Sequence, residues 1–422
     1  MGGVGTVEEL GALRDAIEHA GISVKVVAST PGQTVGGVVP AAIVRPADMD
    51  ALVGLVSIAR RMGLGLIARG SGSQDGWGGP IRLPAVVVDL QAFRGIISYQ
   101  PGDLTVRVRA GTPVGFLNTS LAAHGQTLAL PTFGSATVGG CVVGDRGGFR
   151  GSGGIRDLVL GLSLVDGAGR AFKTGGNVVK NVSGLDIGKL LIGSFGTLGF
   201  VTEVACRVRP VPARTAISAA RWPDRVQALA AMRLVEDAGL LPAAAAMVQE
   251  DGWCATLLQW EGNAAEVEHQ STRVRELWSA GERVEDPVAG GRLRAAEAAD
   301  VQRGGVRVRC QVDGDALSVA WRGEALAGRP QAVVWPLAAT LFWSWPDLDD
   351  TMEAVTVLRS AVQQAEEVGG LVTVIDAPKG VVQAAEISPW GNPGPLAGLY
   401  RRMKSAFDPD GILSPGRFIG EG

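Results

Sequence analysis

Nine of the 21 residues from Gly134 to Gly154 are glycine, and a second cluster spans Gly70 to Gly79. Smaller groups stand at Gly175-Gly176 and at Gly193, Gly196 and Gly199. Glycine admits positive φ and lets backbone approach a ligand closely, with its N–H groups turned inward. Consecutive amides arranged that way form a nest for an anion, and a pyrophosphate fits one. Flexible surface loops are the competing explanation. Several clusters interleaved with strands in one domain favour the ligand. The chain holds 61 glycines in 422 residues, about twice the usual share of roughly 7%. No Gly-X-Y period accompanies them, so the excess is not collagen-like, and 46% hydrophobic residues argue against a disordered linker.

Two common phosphate motifs fail on context. Gly63-x-Gly65-x-x-Ala68 fits the letters of the dinucleotide fingerprint, but it follows a helical pattern and runs into a strand, the reverse of what that motif requires. Gly184 to Gly188-Lys189 is one spacer short of a P-loop. A phosphate cradle of another form is expected.

Charge and rare residues bound the rest. With 39 basic and 42 acidic residues the formal charge is −3, which argues against a nucleic-acid partner or an anionic membrane surface. Residues 1–20 carry no secretory pattern. The longest apolar stretch, Ala332 to Trp343, has twelve residues and contains Pro336, so no transmembrane segment is expected. Cys141, Cys206, Cys254 and Cys310 are tens of residues apart, which makes a disulfide framework, a zinc site or an iron–sulfur cluster in this chain an unattractive reading. Four buried thiols in a cytoplasmic protein are expected instead. The three histidines, His19, His124 and His269, form no close pair, so no metal site is expected.

Periodicity gives mixed elements from the start. Thr6 and Glu9 are spaced as a capping box ahead of a helix that Gly21 can end. A second helix follows Pro46 and stops at Gly63. Apolar runs at 64–68 and 85–90 and an alternating run at 104–110 read as strands. A helix runs from Pro113 to Gly125, and residues 157–174 read as a hairpin turning at Asp166-Gly167. This is an α+β pattern. Arg209-Pro-Val-Pro-Ala213 marks a boundary, after which residues 214–375 run as a βαββαβ-like order of ferredoxin-like type. The domains expected are 1–213, 214–375 and a closing segment, 376–422. No internal repeat is visible.

The glycine-rich stretches carry a resemblance. Arg69-Gly70-Ser71-Gly72-Ser73-Gln74 followed by Gly76-Trp77-Gly78 resembles the pyrophosphate loop of the vanillyl-alcohol-oxidase-like, PCMH-type flavoproteins. Ala136-Thr137-Val138-Gly139-Gly140 and Gly154-Ile155-Arg156-Asp157 resemble their second flavin segment. Gly175 to Asp186, Gly193 to Glu203 and the closing Ser414-Pro415-Gly416-Arg417 follow in order. The ordered series is similar to the smaller FAD-binding subunits of bacterial glycolate oxidases, over residues 65–210 and the C-terminus.

The resemblance implies FAD between two α+β subdomains, its diphosphate on the 69–74 loop, with a cap domain beyond. Cofactor-binding residues implied are Arg69, Gly70, Ser71, Gly72, Ser73, Gln74, Trp77, Pro131, Thr137, Gly139, Gly140, Gly144, Ile155, Asp157, Lys180, Asn181, Gly199, Val201 and Arg417. Lys180 reads equally as a solvated surface lysine. Many relatives carry a flavin-attaching histidine where this chain has Ser73, so FAD is expected to be non-covalent. No catalytic residue is identified. The implied activity is flavin-mediated oxidation of a small 2-hydroxy acid, glycolate to glyoxylate, beside a larger flavoprotein subunit and an iron–sulfur subunit. Those partners would also be what holds a cytoplasmic chain at the inner membrane. Two other readings stay open. One is a self-sufficient FAD-dependent alcohol or sugar dehydrogenase, with Trp253, Trp260, Trp321, Arg322, Trp343 and Trp345 as substrate contacts. The other is a non-catalytic flavin-binding assembly subunit.

Overall fold

The computed structural model describes residues 7–30, 32–78, 81–82, 84–130, 135–147, 154–176, 186–250, 252–284, 286–299, 302, 304–322, 326–328, 330–348 and 350–419. Two compact units result. The first is built from residues up to Arg146, from Ile155–Pro210 and from Asn392 onward; the second is built on Val211–Gly391. The sequence reading draws these boundaries after 213 and 375.

Among the described residues the first unit holds two larger sheets and one two-stranded pair. Helix α1 (Val7–His19) leads into strands β1 (Val24–Ala28) and β2 (Ala42–Pro46), helix α2 (Met49–Met62), then β3 (Gly65–Arg69) and β4 (Ala85–Asp89). The sheet order is β1-β2-β4-β3, with β1 antiparallel to β2 and the other pairs parallel. The Asp48 carboxylate caps α2 by accepting from the Ala51 N–H at 2.8 Å, and Gly63 ends it at φ 62°. That left-handed residue turns the chain directly into β3. Leu52, Leu55, Val56, Ile58 and Ala59 bury one face of α2 on Leu66, Val86 and Val88, the arrangement their helical spacing predicts.

The second sheet is antiparallel. It takes β5 (Ile96–Gln100), β6 (Thr105–Arg109), β8 (Val159–Val165), β9 (Ala171–Gly175) and β10 (Phe200–Arg207) in the order β5-β6-β10-β8-β9. Between β6 and β8 lie α3 (Val114–Ala122), β7 (Gln126–Thr127), α4 (Val138–Val143) and α5 (Ile155–Leu158). After β9 comes α6 (Gly188–Leu191), and β11 (Arg209–Pro210) pairs with β7. Leu117, Leu121, Val138, Cys141 and Val142 pack on Val106, Val108, Leu162, Leu164 and Val204. The β8–β9 hairpin forms, with a longer turn than a two-residue loop. The buried Asp166 carboxylate accepts from the N–H groups of Ala168 and Arg170 and pairs with the Arg170 guanidinium, and the positive φ falls on Gly169 rather than Gly167.

The second unit is one eight-stranded antiparallel sheet. Its strands are β12 (Arg214–Trp222), β13 (Ala244–Glu250), β14 (Trp253–Gly262), β15 (Glu282–Arg283), β16 (Val306–Gln311), β17 (Gln331–Trp335), β18 (Thr340–Trp345) and β19 (Leu371–Asp376). The helices are α7 (Arg225–Asp237), α8 (Ala264–Leu277), α9 (Asp286–Glu297), α10 (Leu317–Arg322), α11 (Thr351–Glu367) and α12 (Val381–Ala384). The spatial order is β15-β12-β14-β13-β17-β18-β16-β19. Each half therefore reads fourth, first, third, second in chain order from its outer edge, the second mirroring the first across the β13–β17 pair. This is a βαββαβ unit used twice, where the sequence shows no repeat. The two halves share topology but not residues, since an apolar position in a sheet accepts any side chain of suitable size.

Trp260, Trp321, Trp343 and Trp345 are all within this unit's core, none more than 6% exposed. They fill volume between sheet and helices and are closed to a substrate.

All four cysteines are buried. Burial pushes the Cys310 thiol up to about 12; Cys206 reaches about 12, from burial and then from its neighbour Cys141. Almost no thiolate exists there at pH 8, and the thiolate is the nucleophile. Native protein treated with iodoacetamide at pH 8 is expected to stay unmodified at Cys206 and Cys310, whereas urea-unfolded chain reacts at both. Peptide mapping reads this directly, and alkylation of native Cys310 would contradict the burial.

Candidate functional site

Strand β3 ends at Arg69, and the chain then loops back on itself. Arg69 clasps Asp75 at 2.7 Å across that loop. Gly72 lies inside the clasp at φ 80°, and a Cβ there would stand 2.7–2.8 Å from the Arg69 guanidinium and the Asp75 carboxylate. Only glycine fits. The Gly70 carbonyl accepts from the Gln91 side-chain amide at 3.0 Å, and the Arg417 guanidinium donates to the carbonyls of Gln74 and Trp77. Protein donors thus occupy these carbonyls. Among the described residues, the backbone N–H groups of Gly70, Ser71 and Gln74 donate to no protein acceptor. These three amides remain available to an anion.

Helix α4 stands beside this loop. The Thr137 hydroxyl caps it by accepting from the Gly140 N–H at 3.2 Å. Val138 and Gly139 N–H groups donate to the carbonyls of Thr112 and Ala110 at 2.9 and 2.8 Å, so these two amides are already used. Glycine sets the spacing of all three pieces. A Cβ at Gly70 would collide with the Thr137 hydroxyl, one at Gly139 would stand 2.6 Å from the Ala110 Cβ, and one at Gly144 would fall on the Gln74 amide. The buried Gln74 Nε2 has no hydrogen-bond partner. An unpartnered buried donor is costly unless a ligand supplies the acceptor.

Loop, helix and strand enclose a pocket. Of the residues named from sequence, Arg69, Gly70, Thr137, Gly139, Gly140, Gly199 and Val201 line it. Ala68, Leu90, Ala110, Gly111 and Val143 line it too; being small or apolar, they carry no chemical signal in a sequence. Ser71, Gly72, Ser73, Gln74 and Trp77 form the adjoining loop, and the buried Trp77 ring meets Phe195 at 5.3 Å. Ile155 is fully buried in the core of the second sheet, and Asp157 is exposed on α5. Pro131, Lys180 and Asn181 lie outside the described residues.

Arg417 is buried and holds the loop from behind rather than lining the pocket. The C-terminal stretch brings it there. The Leu66 N–H donates to the Ile412 carbonyl at 2.7 Å and the Ser414 N–H to the Leu66 carbonyl at 2.8 Å, which adds a short extended piece to the edge of β3. A Cβ at Gly65 would stand 2.6 Å from Pro415. Lys404, on α13 (Ala397–Phe407), fixes this stretch. Its buried ammonium donates to the Thr197 carbonyl at 2.9 Å, the Leu413 carbonyl at 2.8 Å and the Asp408 carboxylate at 2.8 Å. Asp408 in turn accepts from the N–H groups of Ile412 and Leu413. Sequence reasoning missed this pair, because a lysine and an aspartate four apart at a helix end look like a solvated surface pair.

The unpartnered amides, the orphaned Gln74 donor and the glycine-lined pocket suit an anionic group such as a diphosphate. Comparison with known proteins agrees. Residues 40–175 match the FAD binding domain family, and residues 388–418 match the C-terminal domain of FAD linked oxidases. Glycolate oxidase subunit GlcE of Escherichia coli (strain K12) is 30% identical over 368 residues, covering 84% of this chain and 93% of that protein. Glycolate oxidase subunit GlcD of Bacillus subtilis (strain 168) is 31% identical over 179 residues, 41% of this chain and 38% of that one. Among solved structures, p-cresol methylhydroxylase superposes with a TM-score of 0.70 at 16% identity, covering 96% of both chains. That similarity speaks to fold alone. No helix among the described residues is long and apolar enough to cross a membrane. With near-complete coverage of GlcE and a matching FAD binding domain, this chain belongs to the glycolate oxidase subunit GlcE family of FAD-linked oxidoreductases.

Proposed function

We propose that the chain is the FAD-carrying, GlcE-type subunit of a 2-hydroxy-acid dehydrogenase that oxidises glycolate to glyoxylate with a larger flavoprotein subunit and an iron–sulfur subunit. The observation that carries the reading is similarity to GlcE over almost the whole of that protein, supported by a glycine-rich loop with three backbone amides that donate to no protein acceptor among the described residues. FAD, when bound, supplies the two-electron acceptor for the hydride leaving the hydroxyl-bearing carbon. The chain's own residues bind and orient it. The N–H groups of Gly70, Ser71 and Gln74 offset diphosphate charge, and the hydroxyls of Ser71, Ser73 and Thr137 add hydrogen bonds. Arg69 has its charge committed to Asp75, so its role is to fix loop shape. Gly139, Gly140, Gly199 and Val201 give close, uncharged walls for the rest of the cofactor. Pro131, Lys180 and Asn181 remain candidates from sequence. Serine at 73 has no imidazole to attach to the ring, so FAD is held without a covalent bond. The chain works in the cytoplasm and reaches the inner membrane only through its partners.

The self-sufficient alternative depends on tryptophans as substrate contacts, and four of them are buried in the second unit's core. Acid precipitation of the yellow holoprotein is expected to leave FAD in the supernatant. Flavin retained in the pellet would contradict the non-covalent reading, and a colourless protein that takes up no FAD would overturn the assignment. Glycolate-dependent dye reduction is expected from the assembly and not from this chain alone. Rapid reduction by the isolated chain would favour the self-sufficient enzyme.

A further inference from the structure

The two halves of the second unit differ at their fourth strands. In the second half the fourth strand, β19, pairs with β16 at five positions from Arg307 to Gln311. In the first half the fourth strand, β15, has two residues and pairs only with Ala220 and Arg221 of β12. Strand β12 is paired along all nine of its residues with β14 on its other side. The Ala219 carbonyl accepts from the Val284 N–H at 3.1 Å and so points to the outer side. Alternation along a strand then turns the N–H and C=O groups of Ile217 and Thr215 the same way. Among the described residues no strand meets them there. Natural sheets usually pair or blunt such an edge, and among the described residues no strand pairs with it beyond Ala220 and Arg221.

A groove of about 400 Å³ runs beside this open edge, between β12 and α8. Ala216, Val274 and Trp278 give it an apolar floor, and Ser271 Oγ is buried there with no hydrogen-bond partner. Four charged residues line it. Glu268 is paired with Arg275 at 3.2 Å, which leaves Arg214 and Arg283, both exposed, with no ion pair among the described residues. The groove is therefore cationic, and it lies next to a row of backbone groups spaced for a strand.

We infer that the open edge of β12 is where a partner subunit adds a strand: an extended acidic segment, antiparallel to β12, that takes the place β19 occupies in the other half. Backbone bonds to Thr215 and Ile217 set its register, a small apolar side chain enters the groove, and carboxylates meet Arg214 and Arg283. Strand addition of this kind draws affinity from the main chain and specificity from alternate side chains. The inference rests on the reading that the chain is one subunit of an assembly.

Hydrogen exchange on the assembly, isolated from its native cell through a tag on this chain, tests it against the chain alone. Peptides spanning 214–219 are expected to exchange at least about tenfold more slowly in the assembly. Thr215→Pro removes one outward N–H at an exposed edge position, where proline is tolerated. It is expected to lower partner retention by about tenfold or more, with FAD content and Tm of the chain unchanged. Arg214→Glu combined with Arg283→Glu is expected to do the same through charge. An intact assembly in which 214–219 exchange as fast as in the free chain, or in which Thr215→Pro assembles normally, overturns the edge assignment and leaves the subunit reading standing. Protection of the same residues in a dimer of the isolated chain would make a second copy the occupant and overturn the partner. A chain that purifies without any partner overturns both readings.

Discussion

Replacing Lys404 by methionine is expected to destabilise the first unit by about 3–5 kcal/mol, the usual cost of removing one member of a buried ion pair. At roughly 2–4 °C per kcal/mol for a unit of this size, Tm falls by about 10 °C. Methionine has similar length, so the loss is electrostatic and not a cavity. Asp408, fully buried, would lose its cation, and the carbonyls of Thr197 and Leu413 would lose their donor. Lys404→Arg is not expected to rescue. Three acceptors converge on one ammonium nitrogen here, and a planar guanidinium spreads its donors across a fork. Circular dichroism melts of the FAD-loaded protein measure the effect. A Tm within 2 °C of wild type would show that the pair carries no such load.

Gly70→Val is the second large effect, and it falls on binding more than on folding. Its Cβ would collide with the Thr137 hydroxyl and stand 3.2–3.3 Å from the rest of that side chain. Loop and helix must part, and forced overpacking of this kind costs about 1–3 kcal/mol. At the upper end that is a weakening of FAD affinity by about a hundredfold. The protein is expected to purify nearly colourless with unchanged secondary structure. Placement is tested by a paired change: Gly70→Ala should also weaken FAD binding, and Thr137→Ala added to it should restore part of the loss, because the atoms in the way are gone. Titration of apoprotein with FAD reads both. Normal affinity in Gly70→Val would mean the loop is not the diphosphate cradle.

What the sequence discloses here follows from how local the physics is. Gly63 ends α2 because a helix needs a left-handed residue at that point, and Asp166 shapes the β8–β9 turn through bonds to residues two and four away. Both are short-range and legible. The glycine clusters are legible for a related reason, since close approach leaves no other residue possible. Lys404 is different. Its three partners come from the 193–199 stretch, from Asp408 and from Leu413, and nothing in its own neighbourhood says that it is buried. Arg417 was named for the cofactor, yet it holds the loop's carbonyls; a motif reports that a residue is near a site and not which side of the backbone it takes. The four core tryptophans and the doubled βαββαβ unit were hidden because an indole reads alike in a core and in a pocket, and topology is preserved by size and pattern, not by identity.

The edge of β3 carries one more implication. Residues 412–414 complete that edge and Arg417 holds two carbonyls of the cofactor loop, whereas the second unit closes on residues that precede Asn392. On the ribosome, then, the second unit can fold while the first still lacks its last piece. The Gln74 and Trp77 carbonyls of the cofactor loop gain their anchor only once Arg417 has emerged. Cofactor loading therefore waits on Arg417: a chain cut short after the second unit would carry that unit folded and a cofactor loop held by the Arg69–Asp75 clasp and Gln91 alone.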